Sequence, residues 1–341
     1  MPGAGGDGSH RRGLTLGGKG QRLPSERREP AGARYDHGRY RRRRDGLERC
    51  KPLCANPSSL ASGAGCRGHV VSAAKSLDEV RTYWEEAAAI ERDRDGLKPT
   101  ARDPDLQAVV ESSIEKWIAP DASVLDVGCG DGASTIRFAR HADRIVGIDY
   151  IPRFVDRARD QARRAKADNV DFLVGDVLDL ESVRRDQGLF DLAIAIRCVI
   201  NLASLENQVR AISQIASCVR PGGLFVASEG WQDGRDGLNR RRVDSGLPAM
   251  DLVDHNLLIT RRDFEDAIGP HFEVVAYEGA GLYLFVSRLL QPLYVAPDEP
   301  SVGHPLNAVG AQLQKQANDA GRRDFDDCDY AGVYVLRRRD S

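Results

Sequence analysis

The sequence predicts an α/β fold in which a doubly wound parallel sheet, seven strands in all, is covered by helices on both faces. Three observations carry this. Short apolar strands alternate with amphipathic helices between residues 124 and 228. One strand runs directly into closely spaced glycines, Val124-Leu-Asp-Val-Gly-Cys-Gly-Asp-Gly-Ala133. Acidic residues stand at three successive strand ends, Asp126, Asp149 and Asp176.

The chain begins differently. Residues 1–75 hold 16 Lys/Arg against 6 Asp/Glu and 14 of the 34 glycines, with only 8 residues among Leu, Val, Ile, Phe and Trp. Such a stretch cannot bury enough apolar surface to offset chain entropy, so a disordered, basic, Gly/Arg-rich leader is predicted. The remaining 266 residues, 76–341, carry 33 basic and 45 acidic side chains; the formal net charge of −2 therefore averages +10 and −12. Arg41–Arg44 is followed by Asp45, Gly46 and Glu48 and not by an apolar segment, which excludes a secretory signal there. No run approaches the roughly 18 apolar residues of a membrane span. Seven widely spaced cysteines do not read as a disulfide framework, so a reducing, cytoplasmic setting is expected. Cys50, Cys54, Cys66 and His69 are zinc-ligand types at a spacing that fits no common structural-zinc pattern, and no metal is expected.

From Ser76 the composition changes. Residues 77–91 and 104–118 read as helices, with Val80, Trp84 and Ala87/Ala88 on one face of the first and Leu106, Val109/Val110, Ile114 and Trp117 on one face of the second. Strands follow at 124–127, 144–148, 170–174, 190–196 and 224–228, with helices at 133–140, 153–166 and 205–219. Trp231–Arg242 is polar and Gly-rich and reads as a loop or lid. Beyond it come a helix at 262–268, a strand at 272–276, helices at 283–290 and 307–318, and a closing strand at 331–336. The predicted domain, 76–341, thus divides into N-terminal helices (76–119), a ligand-binding core (120–230) and a substrate lid with C-terminal strands (231–341).

Ligands of such sheets bind beyond the C-terminal ends of the strands, where the glycine loop lies. Gly128-x-Gly130-x-x-Ala133 satisfies the relaxed dinucleotide fingerprint, so a nicotinamide-dependent oxidoreductase has to be weighed. Asp126, two residues before the first glycine, opposes a pyrophosphate and suits a ligand bearing an ammonium group. Asp149 can accept both hydroxyls of a ribose, and Asp176 an exocyclic amine of adenine with Val177 against the ring.

These motifs, with Ile-Val-Gly-Ile-Asp149, Phe-Leu-Val-Gly-Asp-Val177, Phe-Asp-Leu-Ala-Ile-Ala195 and Arg220-Pro-Gly-Gly223, resemble the Rossmann-like (class I) S-adenosylmethionine-dependent methyltransferases. The resemblance is strong over 120–230 and weaker over 77–340. It implies a mostly parallel sheet whose last strand is antiparallel, and S-adenosyl-L-methionine as cofactor. It also implies that Asp126 and the loop residues Gly128, Cys129, Gly130 and Gly132 meet the methionyl part, Asp149 with Tyr150 the ribose, and Asp176 with Val177 the adenine. Arg197-Cys-Val-Ile-Asn-Leu202, Leu238-Asn-Arg-Arg-Arg242, His255-Asn256 and His304-Pro-Leu-Asn307 resemble a bacterial subgroup associated with surface polysaccharide pathways.

The expected reaction is methyl transfer to oxygen of a small molecule or glycan; N-methylation and a non-catalytic cofactor-binding module are the alternatives. Glu229 is the first candidate for the base and His255 the second, because its ordinary pKa suits proton abstraction near neutrality. Arg197 is assigned to the cofactor's carboxylate or an anionic substrate, and Asn201, Asn239, Arg242 and Asn256 to the substrate. Tyr83, Trp84 and Arg102 are expected to close over the cofactor. The acidic domain disfavours nucleic acid, as does the absence of Asn/Asp-Pro-Pro-Tyr/Phe after the fourth strand. Oligomeric state is left open. Removal of residues 1–75 is predicted to preserve cooperative thermal unfolding and cofactor binding; loss of either in the truncated protein contradicts the disordered leader.

Overall fold

The computed structural model describes residues 75–90, 102–253 and 255–340. The leader (apart from Lys75) and the Cys50/Cys54/Cys66/His69 group lie outside the described residues.

Two helices open the described chain, α1 (Leu77–Ala89) and α2 (Pro104–Glu115). Ser76 and Glu79 form a reciprocal capping box at α1, and Asp103 with Pro104 starts α2. Then come β1 (Ser123–Val127), α3 (Ala133–Phe138), β2 (Arg144–Asp149), α4 (Pro152–Ala165), β3 (Val170–Val174), α5 (Glu181–Gln187) and β4 (Phe190–Ile196). α6 (Leu205–Cys218), β5 (Val219–Ser228), α7 (Gln232–Asp244), α8 (Arg261–Ile268) and β6 (Phe272–Glu278) follow. α9 (Gly281–Phe285) continues through a π-helical turn, Val286–Leu290, into α10 (Gln291–Val295); α11 (Pro305–Asp319) and β7 (Val333–Arg338) close the chain.

The seven strands form one sheet in the order β3-β2-β1-β4-β5-β7-β6. β7 runs antiparallel to both neighbours, and the other adjacent pairs are parallel. Successive residues of each central strand face opposite sides, and both sides are dry. Leu125, Val127, Val146, Ile148, Ala193 and Phe225 pack with Ile212, Ile215 and Phe264 on one face. Val124, Ile145, Leu192, Ile194 and Val226 pack with Val110, Ile114 and Phe138 on the other. A period-two strand can be apolar at every position only when both faces are covered. The Arg220-Pro-Gly-Gly223 stretch bulges from the ladder, since Val219 lies opposite Phe190 and the next pair is Leu224 with Leu192.

Two elements depart from expectation: α5, Glu181–Gln187, is not among the predicted helices, and the segment after β5 is not what its composition suggested. Residues 231–242 are not a loop: Gln232–Asp244 is the helix α7. Its glycines mark a close approach. A Cβ on Gly234 would lie 1.8 Å from the Asp329 carbonyl oxygen, and one on Gly237 1.8 Å from that of Asp327. The segment before β7 therefore lies directly against the helix backbone, and Arg241 fastens it through Asp327 at 2.8 Å. Trp231, at the start of this helix, is buried and donates its indole N–H to the Gly332 carbonyl at 2.9 Å. Among the described residues no helix is long and apolar enough to cross a membrane.

Helix propensity alone would make Gly237→Ala stabilising by about 1 kcal/mol. Steric conflict with the Asp327 carbonyl reverses the sign, with an expected loss of about 1–3 kcal/mol in urea unfolding. A raised unfolding midpoint contradicts this packing.

Candidate active site

Beyond the C-terminal ends of β1 to β4 lies a cavity of about 390 Å³. It lies within the size range of pockets that enclose small-molecule cofactors. The glycine loop forms its floor and α1 lies across it, with Leu77, Arg81, Tyr83 and Trp84 in the lining. α2 supplies Gln107 and Glu111, which sequence reading overlooked, and Arg102 lies just before it.

The loop after β1 is tied down by the end of β2. Gly128 and Cys129 both donate their backbone N–H to the Ile148 carbonyl, at 2.8 and 2.9 Å. Gly130 donates to Asp149 Oδ2 at 2.9 Å, and Gly132 to the Cys129 carbonyl at 3.0 Å. Four loop amides are thus satisfied within the protein. An oxyanion placed here would not find these N–H groups free, whereas P-loop and dinucleotide sites depend on such groups.

The carboxylates complete the picture. Asp126 is buried beneath the loop and accepts the Thr135 hydroxyl at 2.5 Å. Asp149 accepts from Gly130 and, through Oδ1, from the Ile151 N–H at 2.9 Å. One of the two acceptor sites on each of its oxygens is used, so the second on each is left for a vicinal diol. Burial raises both carboxyls to about 6, opposed at Asp126 by the Thr135 hydroxyl and at Asp149 by the Ile151 and Gly130 amides. Asp176, at the mouth, accepts the Leu178 N–H at 2.8 Å. Val177, buried, and Tyr150 line the same cavity.

Behind this arrangement the strand-four side is organised by Glu229. Its carboxylate is 1% exposed and accepts three backbone N–H groups, from Cys198 at 3.2 Å, Val199 at 3.0 Å and Ile200 at 3.2 Å. Burial pushes it to about 7, against those three amides and the Arg197 charge. Glu229 does not line the cavity among the described residues. It positions the loop after β4 and is not placed to take a substrate proton.

His255 does line the cavity. Its ring stacks on Tyr83 with centroids 3.9 Å apart and meets Trp84 edge-on at 5.2 Å. Arg197 and Asn201 line the same side. Burial pushes the Cys198 and Cys129 thiols well up, so neither is an activated nucleophile.

Four other assignments do not reach the cavity. Gly132, left-handed with φ +78°, packs against α4, where a Cβ would lie 2.7 Å from Ala158 Cβ. Asn239 accepts the Met250 N–H at 2.9 Å. Arg242 is buried and donates to the carbonyls of Pro248 and Arg288. Asn256 has its side-chain oxygen buried without a partner, outside the lining. At Asn239 and Arg242 backbone hydrogen bonding takes the side chain that the sequence had offered to the ligand.

Residues 118–256 match the family model described as "Methyltransferase domain". This segment is a methyltransferase domain of the Rossmann-like class. S-adenosyl-L-methionine is the cofactor of that class, and the diol acceptors of Asp149 and the four satisfied loop amides fit it. Among curated proteins, Nodulation protein S of Rhizobium tropici is 28% identical over 169 residues, 50% of this chain and 67% of the relative. Ribosomal protein L11 methyltransferase of Clostridium botulinum is 25% identical over 154 residues, 45% of this chain. The match covers only 43% of the latter protein's length. Among solved structures, N-methyltransferase NodS from Bradyrhizobium japonicum WM9 with S-adenosyl-L-homocysteine aligns at TM-score 0.43 and 17% identity, over 76% of this chain and 99% of that one.

The raised carboxyls give the methyltransferase domain a pH signature. In the ligand-free protein, a carboxyl raised by burial contributes stability below its unfolded value, and that contribution is lost as pH rises through about 6. Ligand binding has the opposite sign, because only the ionised carboxylate can accept both hydroxyls of a diol beside its two backbone amides, or pair with an ammonium. S-adenosylhomocysteine affinity is therefore predicted to fall below pH 6, by about tenfold per unit for each carboxylate required. Calorimetric titrations between pH 7.5 and 5.0 measure it; a flat profile contradicts the assignment.

Proposed function

We propose that this protein is an S-adenosylmethionine-dependent methyltransferase acting on the oxygen of a small molecule. The observation that carries this reading is the pairing of an ammonium- and diol-binding floor with His255 in one cavity. When bound, S-adenosylmethionine supplies a methyl group on a sulfonium, a reaction in which the leaving group is already good.

The protein's part is then alignment and proton removal. Asp149 would orient the ribose through its two remaining acceptor sites. Asp176 and Val177 would hold the adenine edge and face, and Asp126 and the glycine loop the methionyl end. Arg102 and Gln107 border that end from the α2 side. His255 is the base, since it faces the cavity and is steadied by the Tyr83 stack. His255 would take the hydroxyl proton of the acceptor as that oxygen receives the methyl group.

The lining favours a small molecule over a glycan. Asn239 and Arg242, the side chains first assigned to sugar oxygens, are engaged elsewhere. The mouth carries Val253, 47% exposed, and Leu77, 38% exposed, beside Tyr83.

If His255 is the base, His255→Gln lowers kcat by about 10²–10⁴-fold for a hydroxyl acceptor, while the S-adenosylhomocysteine dissociation constant stays within about threefold. The assay is radiolabelled methyl transfer to hydroxyl and amine panels, with calorimetry alongside. An undiminished kcat, or transfer confined to amines, removes oxygen and His255 from the proposal.

A further inference from the structure

Arg197 is the feature of the cavity that the cofactor does not account for. It follows β4 directly and holds φ at +53°, the left-handed region that residues with a Cβ rarely adopt. Two bonds fix it there. Its N–H donates to the Ser228 carbonyl at 2.7 Å, and its carbonyl accepts the Asn201 side-chain amide at 2.6 Å. Asn201 in turn accepts the Trp84 indole N–H at 3.2 Å, so helix α1 is tied to the same point. A strained backbone gripped from both sides aims one side chain, and that side chain is an exposed guanidinium lining the cavity.

Among the described residues this guanidinium has no hydrogen bond or ion pair. Arg81, by contrast, is paired with Glu85 at 3.1 Å. The carboxylate behind Arg197, Glu229, is occupied by three amides. The strand order separates Arg197 from the nucleoside end, because β3, β2 and β1 carry Asp176, Asp149 and Asp126 while β4 lies beyond them. Asn201 bonds to Arg197, and Trp84, which donates to Asn201, meets the His255 ring at 5.2 Å; Leu77, Val253 and the acid Asp78 line the same cavity. A bare cation beside a general base and an aromatic wall is a recognition site for an anion attached to an apolar body.

We propose that the methyl acceptor is a hydroxylated small-molecule anion, with Arg197 binding its carboxylate or phosphate group while His255 faces its hydroxyl. This rests on the proposed function, and the anion is not consumed. The O–C bond forms, the S–C bond breaks, the hydroxyl proton goes to His255, and the anionic group leaves with the methylated product.

The test uses the full chain saturated with S-adenosylhomocysteine. The calorimetric probes are 4-hydroxybenzoate, 4-hydroxyphenyl phosphate and the neutral 4-hydroxybenzamide. The wild-type complex is expected to bind at least one anionic probe at least tenfold tighter than the amide; which one separates carboxylate from phosphate recognition. Arg197→Ala abolishes that preference and Arg197→Lys retains part of it, while the S-adenosylhomocysteine dissociation constant changes less than about threefold. Arg197→Gly, which suits the left-handed backbone, serves as the second variant if alanine prevents folding. Equal binding, or no binding, of all three probes to the wild-type complex overturns the proposal, as does an anion preference that survives removal of the guanidinium. A tenfold loss of S-adenosylhomocysteine affinity in the variants assigns Arg197 to the cofactor and also overturns it. Failure of the wild type to bind S-adenosylhomocysteine overturns the proposed function itself, so the two failures are distinguishable.

Discussion

The end of β2 governs the ligand-binding edge. Ile148 offers one carbonyl to two consecutive loop amides, and Asp149 offers a carboxylate oxygen to a third. The glycine loop after β1 is held in shape by its neighbouring strand without any ligand. A loop ordered in advance adds little conformational entropy cost to binding. The same bonds remove the amide donors on which a phosphate would rest. What remains facing the cavity is acceptor capacity, on Asp126, Asp149 and Asp176, and acceptors select hydroxyls, amines and cations.

The acceptor side repeats this device. Glu229 ends β5 and holds the amides of the loop after its neighbour β4, as Asp149 ends β2 and holds the loop after β1. In both places a strand-end carboxylate ties down the adjacent loop. The difference lies in the free lone pairs. Asp149 lines the cavity and keeps acceptor sites for a ligand, whereas Glu229 lies behind the lining and is spent on the fold. From that anchored loop rise Arg197, strained and exposed, and Asn201, which ties α1 down through Trp84. The proposed nucleoside end and the proposed acceptor end are thus built by one mechanism and differ in charge.

Most of this edge was legible in the sequence because short strands with apolar residues on both faces, running into glycine or aspartate, admit few other arrangements. β1 to β4, the glycine loop and the three strand-end acids stand where the pattern put them. Three kinds of residue were misread. Gly234 and Gly237 looked like loop residues; they sit in a helix whose backbone is in contact with another segment, and composition does not distinguish the two uses of glycine. Glu229 looked like a base because it ends a strand on the right edge, but alternation along β5 does not reveal whether a terminal side chain meets solvent or its neighbour's amides. Asn239 and Arg242 were drawn into the site by the assumption that 231–242 was a lid. Gln107 and Glu111 were missed for the opposite reason: they lie on a helix more than ten residues before the glycine loop, and only tertiary packing brings them to it. The stack of Tyr83 on His255 joins residues far apart in the chain and had no local signal.

The central claim is that a loop with its amides spent and its carboxylates exposed to the ligand selects an adenosyl sulfonium over a pyrophosphate. The direct measurement is calorimetric titration of the full chain with S-adenosylhomocysteine and, separately, with NADH, on wild type and Asp149→Ala. The account predicts S-adenosylhomocysteine binding to the wild type, at least a tenfold loss in the variant, and no NADH binding to either. NADH binding to the wild type, with S-adenosylhomocysteine silent, would contradict it.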